Sequence, residues 1–210
     1  MLKKITESNT NIIIDENSFN TISKDLNIFY NPLMEINRTI SILFLRSIEK
    51  HFQLKNKLNI CLPLCASGVR GIRILKECNN INSVKFNDMS KNAINILIDN
   101  LKLNNIDYIQ NKEFENNYIN NENKVEYRKN KNIVFNMEAN KFLHNTFYSD
   151  YIDIDPFGSP VKFIDSSLQK LNKNGFLAVT ATDTASITGS SKTASMRRYG
   201  SHIFNCENKK

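Results

Sequence analysis

Several classes of protein are excluded by what this sequence lacks. No run approaches 18 uncharged apolar residues, so nothing reads as a membrane-spanning helix. The opening stretch, MLKKITESNTNIIID, has two lysines but no apolar h-region and no small-residue cleavage site. It reads as mature protein rather than a secretory leader. Cysteine is scarce. Cys61, Cys65, Cys78 and Cys206 include no Cys-x-x-Cys pair and no histidine at finger spacing, so no zinc site is expected. The pattern fits free thiols in a reducing, cytoplasmic setting. His51, His144 and His202 are scattered and have no metal partner at i+4. The Gly-x-Gly-x-x-Gly fingerprint is also missing, which disfavours a nicotinamide or flavin dinucleotide.

The 210 residues are enough for one α/β domain, and a 40% hydrophobic content supplies a core. The net charge of +7 suits a polyanion such as RNA or DNA. Lysine and asparagine are spread along the whole chain, however, so the charge equally reflects composition.

From Pro32 to about residue 51, Leu33, Ile36, Ile40, Leu43, Phe44 and Ile48 recur at helical spacing, with Asn31 as cap. Strand and helix then alternate. LNICLPL (58–64), NSVKFND (82–88), KNIVFNM (131–137), SDYIDID (149–155) and GFLAVTAT (175–182) read as strands. Helices are expected from Val69 to Cys78, after Ser90 with Ile94, Leu97 and Leu101 inward, and after Pro160 with Val161, Ile164, Leu168 and Leu171 inward. Between residues 104 and 132 lie ten asparagines and no sustained period, so this reads as a solvated insert. The expected organisation is an N-terminal segment (1–57), a core (58–184) and a small, polar, basic tail (185–210). The alternation predicts a mostly parallel sheet with helices on both faces and ligands at the strands' carboxyl ends.

Polar residues gather at those ends. After the first predicted strand comes CASGVRG (65–71), where Ser67 and Gly68 open a helix N-terminus. Twenty positions after Gly68, Asp88 ends the next strand, the spacing of a ribose-binding acid. It equally favours the helix dipole that follows. Glu138 and Ala139, after the third strand, frame an adenine. Loop, ribose acid and adenine-edge pair together describe a pocket for S-adenosyl-L-methionine, within a Rossmann-like methyltransferase fold.

The fourth strand ends in DIDPFGSP (153–160). An exocyclic amine on a nucleobase is a poor nucleophile, because its lone pair is delocalised into the ring. Asp155 and the Pro156 carbonyl supply hydrogen-bond acceptors that localise it, and Phe157 stacks on the base. The same octapeptide is also an ordinary turn before a helix.

FYNPLMEINR (29–38), ASGVRGIR (66–73), NDMSKNAINILIDNLKLNN (87–105), DIDPFGSP, GFLAVTATDTA (175–185) and RRYG (197–200) resemble, in order and placement, the tRNA (guanine-N2)-dimethyltransferases. That family makes N2,N2-dimethylguanosine at position 26 of tRNA with S-adenosyl-L-methionine. The resemblance implies cofactor contacts from Arg38, Arg70, Asp88, Glu138 and Ala139, the family usually having Asp where Glu138 stands. It implies Asp155 as catalytic acid, and Phe29 and Phe157 as a sandwich around the guanine. Arg197 and Arg198 suit phosphate contacts or form an exposed basic tail. The family's sizeable C-terminal domain has no counterpart here. Alternatives are a non-catalytic tRNA-binding subunit and an amino methyltransferase for another base.

Overall fold

The computed structural model describes residues 2–16, 30–52, 56–111 and 130–204. A hairpin opens the chain, β1 (Leu2–Glu7) against β2 (Thr10–Asp15). Asn31 then accepts the Leu33 N–H at 3.0 Å and starts a 3-10 turn (Pro32–Met34) that runs into α1 (Glu35–Phe52). The predicted alternation follows: β3 (Leu58–Leu62), α2 (Val69–Glu77), β4 (Ile81–Asn87), α3 (Lys91–Leu103), β5 (Ile109–Gln110), β6 (Ile133–Phe135) and α4 (Ala139–Asn145). It continues through β7 (Ser149–Ile154), α5 (Val161–Leu168) and β8 (Leu171–Val179). Two short helices, α6 (Thr184–Ile187) and α7 (Lys192–Tyr199), close the described chain.

The six-stranded sheet has the order β5-β6-β4-β3-β7-β8, and every recorded pairing in it is parallel. Strand order reverses at β3, which has β4 on one side and β7 on the other. A doubly wound sheet opens its ligand crevice at that reversal, beyond the carboxyl ends. Alternate residues feed two cores. Ile60, Leu62, Val84, Phe86 and Tyr151 face α1–α3, whereas Cys61, Ile133, Ile152 and Ile154 face α4 and α5. Each fully buried Leu, Ile or Phe side chain contributes about 1.5–3 kcal/mol.

Four expectations need correction. Along the 3-10 turn and α1 most of the predicted apolar stripe faces outward: Leu33, Ile36, Ile40 and Leu43 are all more than half exposed, whereas Phe44 packs edge-on against Phe176 and Ile48 is buried. The buried face carries Arg38, Ser41, Ile42, Leu45 and Ile48. This helix has two apolar stripes, and polar partners for Arg38 and Ser41 on the inner side decide which one turns in. On α5 the inward residues are Phe163, Ser166 and Ser167, with Val161 and Leu168 exposed. Leu171 belongs to β8, where it pairs with Ser149. The tail contains two helices, held by Asp183, which accepts from Arg198 at 3.1 Å and Tyr199 at 2.7 Å. The described ends of the asparagine-rich insert are also ordered. They supply β5, and Asn132 accepts the Val84 N–H.

Candidate active site

A cleft of about 810 Å³ lies at the strand reversal. Its walls come from the 3-10 turn and α1 (Asn31, Met34, Arg38), the β3–α2 loop (Cys65, Ala66, Ser67), the end of β4 (Asp88, Met89) and the end of β7 (Asp155, Pro156, Phe157). Its size is within the range of small-molecule sites.

The β3–α2 loop is a tight, strained turn. Ala66 sits at φ 46° and Gly68 at φ 78°, and a left-handed Ala costs about 1–2 kcal/mol. Asp88 holds this loop. One of its carboxylate oxygens accepts the Ala66 N–H at 2.9 Å and the other accepts the Ser90 N–H at 2.9 Å. Burial pushes the Asp88 carboxyl above its ordinary range, against the lowering effect of the Ser90, Ala66 and Met89 N–H groups. A carboxylate has about four lone-pair sites, so acceptor capacity remains for a ligand. A Cβ on Gly68 would lie 2.1 Å from Leu97 Cδ1. The glycine therefore serves the turn and its contact with α3, rather than a close approach of backbone to ligand.

Asp155 follows β7 directly. Its Oδ2 accepts from Arg70 Nη2 at 2.5 Å. Arg70 also donates to Ser41 Oγ at 2.6 Å and Asn37 Oδ1 at 2.7 Å, and its Nη1 lies 3.3 Å from Asp153 Oδ2. The loop after Asp155 is pinned to the end of β8 by two bonds: Gly158 N–H to Thr182 Oγ1 (2.8 Å) and Thr182 N–H to Gly158 O (3.1 Å). Gly158 adopts φ 90°, which favours glycine. Phe157 stays 40% exposed on the cleft wall, as a stacking surface requires.

The other predicted residues fall into distinct settings. Arg38 lines the cleft, but its guanidinium is held by Glu7, with Nε donating to Oε1 at 2.8 Å and Nη2 donating to Oε2. Ser67 is buried in the loop. Glu138 caps α4 by accepting the Lys141 N–H, and Ala139 packs with Phe135 and Phe142. Neither is among the cleft's lining residues, although Asn136 just before them donates to Asp88 O at 2.8 Å. Arg197 is exposed, and Arg198 is tied to Asp183. Phe29 and Cys206 lie outside the described residues.

Two groups were not assigned from sequence. Glu7, on the hairpin, accepts from Arg38, Arg73 and Tyr30 and binds the chain's start to α1 and α2. Asp153 lies behind Asp155, and alternation alone puts both on one side of β7.

Comparison with known proteins decides the family. A family model described as N2,N2-dimethylguanosine tRNA methyltransferase matches residues 8–209. The chain belongs to this family. A tRNA (guanine(26)-N(2)/guanine(27)-N(2))-dimethyltransferase of Aquifex aeolicus is 39% identical over 181 residues, covering 85% of this chain and 40% of the relative. A tRNA (guanine(26)-N(2))-dimethyltransferase of Methanococcus aeolicus is 38% identical over 206 residues, covering 94% and 48%. A solved complex of Trm1 from Pyrococcus horikoshii with S-adenosyl-L-methionine overlays with a TM-score of 0.74 at 28% identity, covering 98% of this chain and 50% of that one. The Methanocaldococcus jannaschii tRNA m1G37 methyltransferase shares the fold alone, with a TM-score of 0.55 at 15% identity. The chain thus has the Rossmann-like methyltransferase fold and spans about half the length of the curated relatives it matches.

Proposed function

We propose that this chain transfers methyl groups from S-adenosyl-L-methionine to the exocyclic N2 of guanine 26 in tRNA, giving N2,N2-dimethylguanosine. One observation carries the reading. Asp155, Pro156 and Phe157 line the same cleft as Asp88 and the β3–α2 loop, so acceptor-site and cofactor-site chemistry share one cavity.

Asp88 is assigned to the ribose hydroxyls, and the Ser67–Gly68 turn and Arg38 to the methionine end. Glu138 and Ala139 are assigned to the adenine, because Asn136 ties their turn to the Asp88 backbone. Bound S-adenosyl-L-methionine supplies an electrophilic methyl group on a sulfonium. Phe157 orients the guanine face, with Phe29 as its expected partner. Asp155 Oδ2 is engaged by Arg70, and Oδ1 accepts the N2 hydrogen and takes the proton released when the N–C bond forms. Pro156 has no N–H to compete and presents its carbonyl as the second acceptor. Arg197 and Arg198 are assigned to tRNA phosphates.

The test is incubation with methyl-labelled cofactor and unmodified tRNA, followed by nucleoside analysis. Label is expected in N2-methylated guanosine, and Asp155→Ala is expected to abolish it while S-adenosylhomocysteine affinity stays within about twofold. Undiminished labelling by Asp155→Ala would overturn the assignment. tRNA binding with no incorporation would favour the non-catalytic subunit instead.

A further inference from the structure

Asp153 is a buried carboxylate that the proposed chemistry leaves without a task. Only 4% of the residue is exposed, yet it lines both the main cleft and a smaller cavity of about 200 Å³. Its Oδ2 accepts from the Tyr151 hydroxyl at 2.8 Å and from Ser41 Oγ at 3.5 Å, with Arg70 Nη1 at 3.3 Å. Its Oδ1 is buried with no hydrogen-bond partner among the described residues. A carboxylate kept only for stability would be fully satisfied, and an apolar residue of similar size would serve as well or better. Burial here carries an uncompensated cost.

The geometry supplies a reason. The Arg70 guanidinium forks between two acids, with Nη2 on Asp155 and Nη1 beside Asp153. Asn37 and Ser41 of α1 hold the same two nitrogens from the other side. When both acids are ionised, the cluster carries one net negative charge, which complements a cationic ligand in the cleft. Without Asp153, Arg70 has no second charged anchor, and nothing charged fixes the plane in which it presents Asp155.

We propose that Asp153 is a positioning residue of the methyl-transfer site, anchoring Arg70 so that the Asp155 carboxylate is held in one orientation toward the acceptor amine. This rests on the assignment of Asp155 in the proposed function. The charged and titratable groups facing Asp153 are Arg70 from α2, Tyr151 from β7 and Asp155 just beyond it. From α1 come the uncharged Asn37 and Ser41, and β8 offers only Ala178, Val179 and Thr180. Burial raises the Asp153 carboxyl above its ordinary range, against the pull of Arg70 and the Tyr151 hydroxyl.

Nitrogen-15 NMR of the Arg70 guanidinium, on the protein alone, provides the test. In the unaltered chain, the Arg70 signals are expected to shift along the same curve as the Asp153 carboxyl carbon signal when pH is lowered. In Asp153→Asn, which retains an acceptor for Tyr151, guanidinium rotation is expected to speed up at least tenfold. Methyl transfer should fall about 100-fold in kcat, the scale of a misplaced catalytic group, with KM for tRNA within about twofold. Arg70 signals that ignore Asp153 protonation, or an equally rigid guanidinium in Asp153→Asn, would overturn the proposal. The unaltered-chain titration decides the matter even if Asp153→Asn does not fold. An active Asp155→Ala would instead remove the reading of Asp155 and leave the Arg70 titration as it was.

Discussion

Neutralising Glu7 is expected to loosen the chain's start from the domain. Glu7 is 2% exposed and accepts from both Arg38 (2.8 Å) and Arg73 (3.0 Å), with Tyr30 Oη at 2.9 Å. In Glu7→Gln, Arg73 keeps a carboxylate partner in Glu77 at 2.8 Å, but Arg38 loses its carboxylate and keeps only uncharged partners, among them the Asn31 carbonyl at 3.2 Å and the Tyr30 ring. Removing one partner of a buried ion pair costs about 3–5 kcal/mol, and retention of Glu77 by Arg73 argues for the lower end, about 3. For a chain of this length that is about 6–12 °C in melting temperature. The pH dependence supplies an internal control. Burial raises the Glu7 carboxyl, but Arg38, Tyr30 and Arg73 outweigh it and hold it below the ordinary glutamate range. A depressed carboxyl contributes stability that is complete above its unfolded pKa and is lost as pH falls through the folded value. The gap between wild type and Glu7→Gln should therefore be full at pH 7 and narrow below about pH 4. Thermal unfolding followed by circular dichroism across that range checks it. A variant melting within 1 °C of wild type at pH 7, on the order of measurement error, or a gap that is constant down to pH 3, about a unit below the free carboxyl, would refute the reasoning.

Asp88→Ala removes the assigned ribose acceptor and frees the Ala66 and Ser90 N–H groups, so cofactor affinity should fall by about 1.5–3 kcal/mol. Calorimetry with S-adenosylhomocysteine measures this, and unchanged affinity would remove the ribose role. Gly71→Ala would place a Cβ 2.2 Å from Phe86 Cε1 and 2.7 Å from Leu62 Cδ1, so α2 must lift from β3 and β4. Overpacking of this kind costs about 1–3 kcal/mol, read as a lowered melting point, and an unchanged melt would mean that α2 does not sit this close to the sheet.

Local signals were legible because they need no distant partner. Asn31 and Ser90 accept the N–H groups that a cap should accept. β3, β4 and β7 were readable as parallel strands because each short β-branched or aromatic stretch is followed by a helical one. What the sequence hid depends on residues far away. The two apolar stripes of α1 have the same period, and Glu7, Arg70 and Asp153 choose between them from other elements. The hairpin turns at Ser8 with φ 51°, without the Asn-Gly or Asp-Gly signal that would advertise it. At only two residues, β5 is too short for any period. At the site, Asp88 and Asp155 were readable as acids at strand ends. Asp153 stands two residues before Asp155, but its partner Arg70 is 83 positions away and only the fold brings the two together.

The basic character of the chain does not reside in the cleft. Its charged lining is three acids, Asp88, Asp153 and Asp155, and two arginines already paired with carboxylates. On the proposed function, the tRNA backbone is therefore gripped outside it, by cations able to release counterions. On α7 the two neighbouring arginines differ in this respect. Both are exposed, but Arg198 is tied to Asp183, which also accepts from Tyr199. Arg197→Ala should weaken tRNA binding without affecting folding and lower the slope of log affinity against log salt by about 0.7–0.9, the value for one phosphate contact. Arg198→Ala should also lower the melting temperature, because α7 loses its tether to Asp183 at the start of α6. Filter binding from 50 to 200 mM salt, the range in which phosphate contacts are read, alongside thermal melts separates the two. An unchanged slope for Arg197→Ala would place the phosphate contacts on another face of the domain.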